Sequence, residues 1–127
     1  MTDITDTTDI TIYHNPRCSN SCGALALLRE RGIAPRIVDY IAQPLDQEQL
    51  RQLTAVVGGP LRDLLRSKEA AYQALDLDNP ACTDAQLLAA VAQHPELLNR
   101  PIVVTPRGAL LCRPPERVLE LLAPLWF

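Results

Sequence analysis

One thiol, placed where a strand gives way to a helix, carries the chemistry this chain advertises. Ile10-Thr11-Ile12-Tyr13 is short, apolar and β-branched, as a strand should be, and Gly23 to Arg31 reads as a helix. Between them stand His14-Asn15-Pro16-Arg17-Cys18-Ser19-Asn20-Ser21-Cys22. Pro16 interrupts any continuation of the ladder and biases Asn15 toward extended backbone, so Cys18 falls in the first turn of the helix. A helix N-terminus presents unpaired N–H groups and the positive end of the macrodipole, which stabilise a thiolate and can hold an oxyanion. Arg17 and His14 add local positive charge that lowers a thiol pKa further. The expected chemistry is nucleophilic attack by a thiolate. Its bland alternative is a small buried core residue, which the strand–turn–helix setting beside Arg17 disfavours.

The remaining thiols divide differently. The third position after Cys18 is Ser21, so no Cys-x-x-Cys pair exists and electrons must come from an external thiol. Cys22 lies four residues on, where helical Cβ atoms stand about 5–6 Å apart against the roughly 3.5–4.5 Å of a disulfide. A bridge would require the first helical turn to fray, so core packing is preferred to a resolving role. Cys82 and Cys112 read as structural, although Cys112 neighbours Arg113. His94, before Pro95, reads as a helix C-cap, and Arg29, Arg31, Arg51 and Arg117 as solvated surface.

Bulk properties narrow the class. A chain of 127 residues with net charge −3 and 47% hydrophobic residues is expected to be one globular domain. The charge argues against nucleic acid as a partner. Residues 1–9 are Thr/Asp-rich, without the basic and apolar regions of a signal peptide, and read as a flexible leader to a single domain at 10–127. No apolar run approaches membrane-spanning length. Four cysteines without a signal read as reduced cytoplasmic thiols rather than disulfides, and no zinc-type Cys/His spacing occurs, so no metal is expected.

The elements that must position Cys18 follow from patterning. After Gly32 as a C-cap, residues 35–41 form a second strand, as a βαβ unit requires. Asp46 with Gln49 makes a capping box for a helix over 47–57, ended by Gly58-Gly59. Pro60 opens a short helix through Leu61, Leu64 and Leu65; Ser67 caps 68–75; Thr83 with Gln86 caps 84–93. Residues 102–105 and 109–112 flank Pro106-Arg107-Gly108 as a hairpin, with glycine supplying the turn. Pro114-Pro115 starts a last helix over 116–122. Leucine pairs at 25/28, 50/53 and 119/122 mark core faces. The order is that of an α/β thioredoxin-like fold with a helical insertion between the N-terminal βαβ unit and the C-terminal β-hairpin plus helix.

Four stretches carry a resemblance to a known family. They are residues 12–19, Arg62-Asp63-Leu64-Leu65-Arg66, residues 99–106, and Leu111-Cys112-Arg113-Pro114. Together they resemble the glutaredoxin- and glutathione-dependent arsenate reductases over essentially everything after the leader. The resemblance implies that Cys18 is the nucleophile, that His14 promotes its ionisation, and that Arg66, Arg100 and Arg113 bind the oxyanion. It also implies a cis peptide at Arg100-Pro101. Arginine suits such a site, since a planar, permanently charged fork matches a tetrahedral oxyanion better than lysine does. Arg62, one turn before Arg66, competes for its place. The implied activity is reduction of arsenate to arsenite, with glutathione as co-substrate, glutaredoxin as partner, no bound cofactor, a cytoplasmic setting and a monomeric chain. Ala24, six positions after Cys18, excludes the Cys-x5-Arg loop of the unrelated phosphatase-like arsenate reductases. Cys22 departs from the family pattern, where arginine or another polar residue is expected. Two other readings remain: a general glutathione-linked thiol oxidoreductase, which would need no cage of arginines, and an Spx-like redox-sensing transcription regulator, which would need the Cys-x-x-Cys that Ser21 breaks.

Overall fold

A computed structural model of the protein describes residues 10–106 and 108–122, so the leader at 1–9, the turn residue Arg107, residues 123–127 and the side chain of Leu122 lie outside the described residues. The described chain divides into two compact units. One runs to Tyr40 and resumes at Arg100; the other is Ile41–Asn99.

The first unit is built on a four-stranded sheet. Strands β1 (Thr11–His14), β2 (Arg36–Asp39), β3 (Ile102–Thr105) and β4 (Gly108–Leu111) lie in the order β2-β1-β3-β4. β1 pairs parallel with β2 and antiparallel with β3, which pairs antiparallel with β4. The first strand forms as read, with Ile12 buried and its neighbours Thr11 and Tyr13 less so. Helix α1 (Ser19–Glu30) starts four residues earlier than its apolar pattern suggested, because Cys18 itself takes the extended N-cap conformation. The last helix begins as a 3-10 turn over Pro115–Arg117 and continues as α5 (Val118–Leu122).

Ile10, Ile12, Ala24, Leu25, Leu28, Val103, Cys112, Val118 and Leu121 form one apolar core, with Leu27, Ile33, Leu110 and Leu119 packed against it. Val118 and Leu121, rather than Leu119, carry the buried face of α5. Leu28 is fully buried at its centre. Leu28→Ala is therefore expected to remove about 2–5 kcal/mol of stability in denaturant unfolding; a loss below about 1 kcal/mol, the range of surface changes, would contradict this core.

Register explains how distant residues come together. Tyr13, near the end of β1, faces Ile102 at the start of β3, and Ile102 faces Leu111 at the end of β4. The loop carrying Cys18, the segment carrying Arg100 and the segment carrying Arg113 therefore leave the sheet at one end. A hydrogen bond from Cys112 N to Pro101 O, 2.8 Å, ties the last two. The Arg100-Pro101 bond is cis, as the resemblance implies, and so is the unanticipated Arg113-Pro114 bond. Gly23 lets the turn after Arg113 approach α1: a Cβ there would stand 3.1 Å from Pro115 Cγ. At the hairpin, Gly108 opens β4 opposite Thr105 instead of lying inside the turn, with φ 141°, a value glycine tolerates.

The second unit is helical. Helix α2 (Gln47–Val57) carries the expected Asp46/Gln49 capping box, with Gly58 as its C-cap. A 3-10 turn spans Leu61–Leu64, and Leu65 bridges Leu98. Helix α4 (Asp84–Gln93) carries the Thr83/Gln86 box and packs against α2. The third helix differs from expectation. Helix α3 spans only Ala70–Ala74, with Glu69 rather than Ser67 at its N-cap. Glu69 N donates to Arg66 O, and the Glu69 carboxylate accepts from Arg66 Nε at 3.1 Å, so residues 66–69 form a separate turn ahead of the helix.

Candidate active site

Cys18 is 8% exposed, with φ −99° and ψ 122°, and its carbonyl accepts the first helical hydrogen bond from Cys22 N at 3.0 Å. Burial raises its pKa, but opposing groups win and the net shift is downward. In order of strength these are the Ser21 N–H, a hydrogen bond from the Arg100 guanidinium, the Asn20 N–H and the Arg100 charge. The two N–H groups turn toward the sulfur without closing a side-chain N-cap bond. This is the stabilisation expected of a helix N-terminus, with Arg100 as the charge beside it. Arg17 is exposed, and its N–H donates to Asn15 Oδ1 at 2.9 Å, so it steadies the loop.

Arg113 completes the cationic side. Its Nη1 lies 3.8 Å from Cys18 Sγ and donates to the Arg100 carbonyl at 3.0 Å. With the Asn20 amide turned so that its oxygen faces the guanidinium, Oδ1 accepts from Nη1 at 3.2 Å and Nη2 at 3.1 Å. Arg113 is thereby held at three points, one of them the second residue of α1. Two guanidinium groups thus bear on one sulfur, from segments far apart in sequence.

His14 differs from the sequence reading. It is buried, and its Nδ1 stands 2.5 Å from Ser21 Oγ. Burial lowers its pKa; Asp39 opposes this and Arg29 reinforces it. The net effect keeps the ring neutral near pH 7, so it does not supply the positive charge the sequence suggested. Ser21 Oγ already accepts from Asn15 N–H at 3.1 Å. The Ser21 hydroxyl thus links the His14 ring to the loop that carries Cys18. His14 therefore bears on Cys18 only through Ser21, whose N–H faces the sulfur.

Arg66 belongs to the second unit. There its guanidinium pairs with Glu69 and its N–H donates to Leu97 O at 2.8 Å. Arg62, its sequence competitor, donates to the carbonyls of Leu77 and Asn79 and holds that loop. Cys22 is exposed rather than core-packed, because the fourth residue of α1 faces away from the sheet; its Sγ donates weakly to Pro16 O at 3.4 Å. Cys112 is a core residue, as expected, and burial pushes its pKa up to about 12. A thiol raised in the folded state stabilises most below its ordinary value of 9.0 and loses that contribution as pH climbs toward about 12. Native protein is therefore expected to keep Cys112 unreactive to disulfide reagents, and Cys112→Ala to flatten the alkaline fall in stability. Unchanged alkaline slopes would contradict this. Among the described residues, no group of three His, Cys, Asp or Glu is placed to hold a metal.

Sequence reasoning missed Asn20 and the hydroxyl of Ser21. Ser21 stands out in sequence only as the residue that is not a cysteine, and Asn20 becomes meaningful once Arg113 is known to reach the helix tip.

A thioredoxin-like α/β fold, with a thiol at the N-cap of its first helix and arginines gathered on the sulfur, defines the class of this molecule. The chain matches the ArsC family over residues 13–121 and belongs to it. It is 46% identical over 114 residues to an arsenate reductase of Escherichia coli, covering 90% of this chain and 81% of that protein. It is also 42% identical over 116 residues to the uncharacterized protein YfgD of Escherichia coli strain K12, covering 91% and 98%. Among solved structures, the arsenate reductase from Vibrio cholerae superposes with a TM-score of 0.87 at 41% identity, covering 91% of this chain and 99% of that one. No helix among the described residues is long and apolar enough to cross a membrane.

Proposed function

We propose that the protein reduces arsenate to arsenite, with glutathione and glutaredoxin supplying the electrons. The observation that carries the reading is the convergence of Arg100 and Arg113 on Cys18: one guanidinium lowers the thiol pKa and the other stands 3.8 Å from the sulfur. A plain disulfide reductase needs no such cluster. Its relatives named arsenate reductase support the same reading.

The chemistry follows from these groups. Arsenate near neutral pH is a tetrahedral dianion, which paired guanidinium groups and helix N–H groups suit. Cys18 thiolate attacks arsenic, and an arsenic hydroxyl leaves as water once protonated. Glutathione adds its sulfur to the same arsenic with loss of a second water. Glutaredoxin's thiolate then takes the glutathione sulfur, and the bonding electron pair stays on arsenic, reducing it from the pentavalent to the trivalent state. Water cleaves the remaining sulfur–arsenic bond, releasing arsenite and restoring the thiol. Arg66 is assigned to arsenate by the resemblance alone, and His14 is assigned to the ionisation of Cys18 by way of Ser21.

The test is a coupled assay with purified chain, arsenate, glutathione, glutaredoxin, glutathione reductase and NADPH. NADPH oxidation that requires arsenate, glutaredoxin and the chain together is expected. Arsenate-independent disulfide turnover alone would replace this reading with a general thiol oxidoreductase.

A further inference from the structure

Asn20 sits at the tip of α1, where the thiol and the cation of the site meet. Its N–H faces the Cys18 sulfur, and its side-chain oxygen accepts from Arg113 Nη1 at 3.2 Å and Nη2 at 3.1 Å. A guanidinium only donates, so the amide atom facing those two nitrogens is the oxygen. We propose that Asn20 is a positioning residue: its amide oxygen holds the Arg113 guanidinium at the Cys18 sulfur, so that an incoming oxyanion meets a fixed cation whose charge is not cancelled. The proposal rests on the arsenate reading for the identity of that anion.

A free arginine side chain samples many rotamers, and holding it in one costs entropy that its anchoring bonds must offset. The Arg100 carbonyl, 3.0 Å from Nη1, is one anchor, about which the plane of the guanidinium can still swing. The Asn20 oxygen takes both Nη1 and Nη2, which fixes that plane. Nη1 carries two protons and stands near three acceptors: the Arg100 carbonyl, the Asn20 oxygen and the sulfur at 3.8 Å. It can therefore turn a proton to an oxygen arriving at the sulfur while Nη2 keeps the tether to Asn20.

The kind of anchor matters as much as its place. Both anchors are neutral, and among the described residues Arg113 has no carboxylate partner, whereas Arg66 pairs with Glu69. An acid in place of Asn20 would hold the fork more tightly but cancel its charge. An amide leaves that charge to act on the thiolate and the oxyanion together. Asn20 is the half-buried second residue of α1, so alanine, a strong helix former, leaves the helix and its N–H groups in place.

The test takes two readouts in a Cys22→Ser/Cys82→Ser chain: ultraviolet titration of the Cys18 thiol, and the arsenate concentration that protects it from iodoacetamide. Asn20→Ala is expected to raise the titration midpoint and to demand about tenfold more arsenate, the scale of one hydrogen bond to a charged group. Added to Arg113→Ala, the same change should move neither readout further, the mark of a residue that works through another. Asn20→Asp, which keeps an oxygen on the fork but cancels its charge, should let arsenate protect no better than Asn20→Ala does. Unaltered values in Asn20→Ala, an equal loss with Arg113 already absent, or undiminished protection in Asn20→Asp would each overturn the proposal. Neither readout needs turnover or an electron donor. Absence of arsenate protection in the chain that keeps Asn20 and Arg113 would count against the arsenate reading, and the titration of the single and double variants would then decide the role of Asn20 by itself.

Discussion

Cys18→Ser is expected to lower arsenite formation by at least about a thousandfold while leaving the unfolding temperature unchanged or slightly raised. The two halves of this outcome have separate causes. Activity falls because a hydroxyl is not ionised by the groups that ionise a thiol: the Ser21 and Asn20 N–H groups and Arg100 lower the Cys18 pKa from a thiol's range, and a serine starts far above it. Stability holds because residue 18 is the N-cap of α1, an extended position at φ −99° where serine is a preferred residue. Coupled turnover and thermal unfolding on one preparation decide it. Retained turnover would refute Cys18 as the nucleophile.

Arg113→Ala should lower kcat/KM for arsenate by about a hundred- to a thousandfold, the range seen when one donor to a developing oxyanion is removed. It should also raise the pKa of Cys18. The guanidinium is fixed by Asn20 Oδ1 and the Arg100 carbonyl, so its removal takes away a charge 3.8 Å from the sulfur together with the hydrogen bonds that hold it there. Arg113→Lys restores charge without the fork and should recover only part of the activity. A variant that binds arsenate normally and keeps its thiol pKa would move the oxyanion site away from the sheet end where β3 begins and β4 ends.

The parts of the fold legible in the sequence are those fixed by local chemistry. Both capping boxes, Asp46/Gln49 and Thr83/Gln86, formed as read, because the four residues that make a box are contiguous. The strand–turn–helix address of Cys18 was legible for the same reason. Errors arose where a distant partner overrode a local preference. Ser67 is a sound N-cap in isolation, but the Arg66–Glu69 pair closes its own turn and starts α3 later. His14 looked like a source of charge, yet burial in the sheet keeps it neutral and its real partner is Ser21. Cys22 was read as core, but facing was decided by where α1 begins, and Cys18 as N-cap turns the fourth residue outward.

Within the site, Cys18 was found from its surroundings, whereas Arg100 and Arg113 were picked out by resemblance. No local rule marks an arginine beside a proline as catalytic. What joins these two to the sulfur is strand register, which pairs Tyr13 with Ile102 and Ile102 with Leu111. That information is absent from any single stretch of the chain. Asn20 illustrates the same limit, since its amide acquires a role only when Arg113 arrives from ninety-odd residues away.

The measurement that bears most directly on this account is an ultraviolet titration of the Cys18 thiolate in a chain whose exposed Cys22 and half-buried Cys82 are replaced by serine, with and without arsenate. Ionisation clearly below the ordinary thiol range, moved upward by Arg100→Ala or Arg113→Ala and perturbed by bound arsenate, is the predicted result. A thiol that ionises in the ordinary alkaline range and takes no notice of either arginine would contradict it.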